Sequence, residues 1–160
     1  QGAPMQRVFE VIKKEVARHP DVEVIYPVHL SPKVQQAAQA VFKDESRVHL
    51  IAPLDVVDFH NLAARSYLIM TDSGGVQEEA PSLNKPVLVL RDETERPEGV
   101  KAGTLRLVGT DPNRVAQAME ELLCDQTVYQ KMAQAPNPYG DGHAAERIVT
   151  ICKQFLNAKN

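Results

Sequence analysis

Apolar residues return along this chain in two rhythms, and the alternation between them sets the expected architecture. Met5, Val8, Phe9, Ile12 and Val16 recur at helical spacing, which predicts an amphipathic helix over residues 4–18. A β-branched run with Tyr26 follows over 22–28 and reads as a buried strand. Val34, Ala37, Ala38, Val41 and Phe42 mark a helix over 32–43, and 48–51 is a second strand ending at Pro53. Asp55 is placed to cap a helix running to Arg65, with Phe59 and Leu62 on one face. A third strand, 67–70, leads into a helix from Gly75 to Leu83 that Asn84 closes, and Pro86 opens a strand over 87–90. Residues 91–100, RDETERPEGV, are a charged loop with one helical turn. A fifth strand covers 104–108. Asp111 caps a helix to Cys124, a short helix follows over 126–134, and APNPYGDG breaks the chain before a C-terminal helix within 141–156.

Strands alternating with helices imply a parallel sheet with crossover helices on both faces, an α/β sandwich of Rossmann-like type. The 160 residues suffice for one domain with a real core. The first helix carries an apolar stripe that needs a sheet, yet no strand precedes it.

Charge and cysteine content narrow the partners. A formal net charge of −3 argues against nucleic acid, since no strongly basic surface is implied. No apolar run approaches the ~20 residues of a membrane span, and no signal-peptide pattern is visible, so a cytoplasmic protein is expected. Cys124 and Cys152 are isolated and read as free, packed thiols of a reducing compartment. His19, His49, His60 and His143 lack metal-like spacing; surface or packing roles are expected, with no metal and no cofactor.

The candidate chemistry lies in Thr71-Asp72-Ser73-Gly74-Gly75, at the carboxyl end of a strand and the start of a helix. Ligands of such sheets bind there. The first amides of a helix lack internal partners and sit at its positive end, so together they attract an anion. Gly74 and Gly75 let an oxygen approach the backbone, and Ser73 adds a hydroxyl. The competing reading is a tight turn that needs its glycines for geometry alone. Glu78 and Glu79 follow one turn later. Adjacent helical residues diverge by about 100°, so only one of them can face a given ligand.

Three segments carry a resemblance: TDSGGVQEEAPSLNKPVLVLRDETERPEGVKAGTLRLVGTD at 71–111, VIYPVHLSP upstream and NPYGDGHAAERI downstream. Together they resemble the non-hydrolysing UDP-N-acetylglucosamine 2-epimerases over almost the whole chain. The resemblance implies the C-terminal, nucleotide-binding domain of a GT-B-type fold. It also implies an enzyme that interconverts UDP-N-acetylglucosamine and UDP-N-acetylmannosamine for surface polysaccharides. Ser73, Gly74 and Gly75 then resemble diphosphate ligands, Glu79 the ribose ligand, and Phe59 the aromatic on uracil. His29 faces the same cleft, and Thr94, Glu95 and Arg96 border the sugar or diphosphate. The usual HLNP reads HLSP here, and Val56 stands where a tyrosine is often found.

The same resemblance implies that the acid and base carboxylates belong to an N-terminal domain absent from this chain. The strand ending in a THRREN-like motif would fall just before residue 1, so the domain would lack its first strand. The chain alone is therefore expected to be inactive, and the full-length protein to be a homodimer. Alternatives are a UDP-sugar binding or regulatory module, a glycosyltransferase C-domain, and the hydrolysing variant of the epimerase.

Overall fold

In the computed structural model, which describes residues 2–158, eight α-helices and five short strands alternate as the hydrophobic pattern requires. Helix α1 (Gly2–Arg18) precedes strand β1 (Val24–Pro27), helix α2 (Pro32–Phe42) and strand β2 (Val48–Ile51). Helix α3 (Val56–Arg65), strand β3 (Ile69–Thr71), helix α4 (Gly74–Glu79) and strand β4 (Val87–Val89) come next. Helix α5 (Pro97–Ala102), strand β5 (Leu105–Leu107) and helices α6 (Pro112–Cys124), α7 (Gln126–Ala133) and α8 (Ala144–Asn157) complete the chain.

Side-chain caps fix the helix starts. The Asp55 carboxylate accepts the Asp58 amide at 2.9 Å, and Asp111 accepts the amides of Asn113 and Arg114. Asp125 does the same for α7, a cap the sequence reading did not assign. The helix expected over 75–83 divides in two. Pro81 has no amide hydrogen for the i−4 bond, so α4 gives way to a 3-10 turn, Ala80–Leu83. Asn84 then ends it in the left-handed conformation, with φ 55°.

All strand pairings are parallel, but the strands form two sheets rather than one. β1 pairs with β2, with Val24 opposite Val48; β4 pairs with β3 and β5, with Val87 opposite Ile69 and Leu105. The division into two sheets shows in burial. All three residues of β4 are fully buried, whereas every residue of β3 is only half-buried and Ile25 of β1 is exposed.

The two faces of β4 anchor separate apolar clusters, as a sandwich requires. Leu88 faces Val8, Phe9, Ile12 and Val16 of α1 together with residues of α2 and α6. Val87 and Val89 face Ala80, Leu105, Val76 and Val100 on the other side. Phe9 stands at a junction, with ring centroids 5.5 Å from Tyr26 and 5.2 Å from Phe42. Fully burying such a side chain contributes about 1.5–3 kcal/mol.

Helix α8 behaves differently. Ile148, Val149, Ile151 and Leu156 all lie on its exposed surface. Two expectations need correction. Cys124 and Cys152 are free, but both are exposed rather than packed. Cys124 ends α6 at the surface, and Cys152 rides on α8, whose residues are exposed throughout. Among the described residues no helix is long and apolar enough to cross a membrane.

Candidate functional site

The turn after β3 holds its shape without help from unusual glycine geometry. Ser73 is the N-cap residue of α4 in extended conformation, and its amide donates to Thr71 Oγ1 at 3.0 Å. The Ser73 hydroxyl makes no capping hydrogen bond. Gly74 and Gly75 are the first two residues of α4, and neither has a positive φ. A methyl group added at Gly74 would meet only Arg96 Nη2, at 4.0 Å; one at Gly75 would meet only Ser73 Oγ, at 3.9 Å. Neither packing nor backbone strain demands glycine at either position. The bare backbone faces open space edged by a guanidinium and a free hydroxyl.

Arg96 reaches the turn because a chain of hydrogen bonds holds its loop there. Gln77 is fully buried. Its Nε2 donates to the Ser73 carbonyl at 3.3 Å, and its Oε1 accepts from Thr94 Oγ1 at 2.5 Å. Thr94 Oγ1 in turn accepts the Arg96 amide at 3.0 Å. From the other side, Tyr139 Oη accepts from the Gly99 amide at 3.0 Å and donates to the Arg96 carbonyl at 3.4 Å. Burial raises the Tyr139 pKa above its ordinary value, so the hydroxyl keeps its proton. The TERPE and NPYGDG segments thus meet at one place. Gln77 and Tyr139 were not among the expected site residues. Gln77 lies four residues after Ser73 and so on the same helical face, but its second partner is visible only in the fold.

The paired glutamates diverge, as helical geometry requires. Glu78 Oε1 accepts from Arg96 Nε, which points the guanidinium across the turn. Glu79 turns the other way, and its Oε2 lies 2.9 Å from His60 Nε2 on α3. His60 adjoins Phe59, whose half-buried ring belongs to neither apolar cluster. His29 is exposed in the loop after β1, at the same carboxyl edge. Its Nδ1 accepts the Ser31 amide at 3.1 Å, which leaves the ring proton of a neutral imidazole on Nε2. Ser73, Gly74, Gly75 and Arg96 are therefore brought together and Glu79 joins Phe59 through His60, while among the described residues no hydrogen bond links His29 to either group. Asp72 raises the pKa of Tyr26, after the larger effect of burial, and so marks where β1 comes near the turn.

Carboxylates outnumber cations here: Asp72, Glu78, Glu79 and Glu95 against Arg96. The donors the turn offers are helix-start amides, the Ser73 hydroxyl and one guanidinium, and the local balance of charge is negative.

Fold and site together define a parallel α/β domain with an open strand-to-helix turn edged by Ser73 and Arg96. The sequence profile of the UDP-N-acetylglucosamine 2-epimerases matches residues 1–153, so the chain belongs to that family. It is 62% identical over 148 residues to the UDP-N-acetylglucosamine 2-epimerase of Bacillus subtilis, covering 92% of this chain and 39% of that protein. Staphylococcus aureus MnaA, solved with UDP, superposes with a TM-score of 0.91 at 54% identity, over 98% of this chain and 43% of that one. The Neisseria meningitidis UDP-GlcNAc 2-epimerase bound to UDP-GlcNAc gives a TM-score of 0.89 at 40% identity, over 96% and 41%. The chain thus spans about two-fifths of the length of these relatives.

Proposed function

We propose that this chain is the UDP-binding half, the C-terminal domain, of an enzyme that interconverts UDP-N-acetylglucosamine and UDP-N-acetylmannosamine. The reading rests on one observation: two glycines in ordinary helical conformation, with open space above them and Ser73 and Arg96 at its rim. The diphosphate lies over the amides of Gly74 and Gly75, with Ser73 Oγ and Arg96 as further donors. The ribose lies toward Glu79, the uracil on Phe59, and His29 lines the same cleft.

In this role the chain stabilises a leaving group. A base removes the C2 proton, the C1–O bond breaks on the opposite face, and UDP departs with the bonding pair. The resulting glucal is reprotonated at C2 from the other side, and UDP adds back to C1. Amide donors aimed at the departing diphosphate count for more as its charge develops. The proton-transfer groups belong to the part of the polypeptide that this chain does not contain.

Two features of the fold favour such a part. The strands form two separate parallel sheets, which one further parallel strand would join. The apolar surface of α8 is exposed, and a neighbouring domain would cover it. The full-length protein is then a cytoplasmic dimer serving surface polysaccharide synthesis. The test is an epimerisation assay with UDP-N-acetylglucosamine, on this chain and on the natural full-length polypeptide. The mannosamine epimer is expected from the longer protein alone. Turnover by this chain, or release of free UDP without epimer by the longer one, would refute the reading.

A further inference from the structure

Far from the glycine turn, helices α1 and α6 bring four ligand-type side chains to one place. Each contributes a pair spaced four residues apart: Glu15 in the last turn of α1 with His19 just after it, whose amide still bonds the Glu15 carbonyl at 3.0 Å, and Glu120 and Cys124 from α6. Side chains at that spacing share one helical face. His19 Nε2 lies 2.8 Å from Glu120 Oε2, and Cys124 Sγ lies 3.6 Å from Glu120 Oε1. One donor atom from each of His19, Glu120 and Cys124 falls within 4.8 Å of the others.

A surface histidine–glutamate pair would be an ordinary ion pair if it stood alone. Glu15 does not fit that picture. It is 2% exposed, and its Oε2 is a buried oxygen without a hydrogen-bond partner. That oxygen points into the cluster, 4.0 Å from His19 Nε2. The one arginine nearby, Arg18, is taken up by the other oxygen, Oε1, at 3.0 Å. Two carboxylates and a thiol thus converge on one imidazole, with Asp21 adding further negative potential at Cys124. A buried carboxylate beside another carboxylate is costly unless a cation or a proton lies between them.

We propose that Glu15, His19, Glu120 and Cys124 form a binding site for a divalent transition metal of the Zn2+ type, stapling α1 to α6. The donor set of one thiolate, one imidazole and two carboxylates suits a borderline-soft cation that accepts tetrahedral geometry. Zinc–ligand bond lengths place neighbouring ligand atoms about 3.4–3.6 Å apart in a tetrahedron. The separations of 2.8, 3.6 and 4.0 Å bracket that value, and donor atoms of His19, Glu120 and Cys124 all lie within 4.8 Å of one another. On binding, the metal–sulfur bond forms as the S–H bond breaks, and the Cys124 proton goes to solvent.

The probe is Co2+, titrated into the natural full-length polypeptide after chelator treatment, with Zn2+ as competitor. A saturable one-to-one thiolate-to-cobalt charge-transfer band is expected, displaced by Zn2+. Cys124→Ser removes the band, and Cys152→Ser leaves it intact. His19→Ala and Glu15→Gln each weaken affinity by about tenfold or more, at least the loss typical of an outer-shell partner. Zn2+ raises the melting temperature of the parent protein but not of the Cys124→Ser variant, a substitution an exposed helix end tolerates. The absence of a saturable band would overturn the site. So would a band that survives Cys124→Ser, or Co2+ affinity untouched by Glu15→Gln, which would leave a shared proton between Glu15 and Glu120 as the answer.

Discussion

Replacing Gly75 with alanine separates the two meanings a glycine can have. In this structure Gly75 is the second residue of α4, in helical conformation, and an added methyl would have one neighbour, Ser73 Oγ, at 3.9 Å. That is ordinary van der Waals contact, so there is no steric cost. Alanine also loses less backbone entropy than glycine on folding, which is worth up to about 0.5–1 kcal/mol in a helix. The ligand-free protein is therefore expected to melt at the same temperature or slightly higher. Nucleotide affinity should move the other way, because the methyl stands where a phosphate oxygen must approach the amide. A hydrogen bond to a charged group contributes about 1.5–3 kcal/mol, so its loss weakens binding roughly 10- to 150-fold. Calorimetric titration of the full-length protein with UDP, paired with a thermal melt of each form, reads both quantities. Unchanged affinity would refute a diphosphate at this turn. A clear loss of ligand-free stability would show instead that glycine is needed there for folding.

Gly99 provides the contrast. A methyl there would lie 2.5 Å from Leu105 Cδ1 and from Tyr139 Oη, so Gly99→Ala should cost about 1–3 kcal/mol by overpacking, read by urea denaturation. Gln77→Leu leaves the Thr94 hydroxyl without its buried acceptor and the Ser73 carbonyl with only the residue-77 backbone amide. About 1–3 kcal/mol of stability should go, together with faster hydrogen exchange at the Arg96 amide. Burial, and then the contact with Glu120, raises the Glu15 pKa above its ordinary 4.5. A raised carboxyl pKa favours the folded state below the ordinary value, and that advantage disappears as pH rises through the folded value. In chelator-treated protein the stability of the parent relative to Glu15→Gln should therefore fall as pH rises from about 4.5; a flat difference in denaturation midpoints would contradict it.

What could be read from the sequence were the features governed by local rules. The stripes of α1, α2 and α6, the caps at Asp55 and Asp111, and the left-handed stop at Asn84 all depend on residues within one or two turns. β2 matches its expected 48–51, but the other strands came out shorter than the apolar runs that marked them: residues 22–28 yield β1 at Val24–Pro27, and 104–108 yield β5 at Leu105–Leu107. A run records burial, while a strand also needs a paired neighbour. Ser73, Gly74 and Gly75 stood out because their order along a strand–turn–helix is itself the signal. Arg96 joined them only through the resemblance, since a charged loop says nothing about where it folds. Gln77 and Tyr139 escaped notice because each acts through a partner 17 to 43 residues away. The Glu15–His19 and Glu120–Cys124 pairs escaped for the same reason. Their spacing is visible on each helix, but their convergence depends on α1 packing against α6.

The most direct measurement is a crystal structure of the full-length protein with UDP. Diphosphate oxygens should lie within hydrogen-bonding distance of the Gly74 and Gly75 amides, with Arg96 swung from Glu78 toward them and the ribose beside Glu79. UDP seated elsewhere, with water over the two glycines and Arg96 still paired to Glu78, would contradict the assignment.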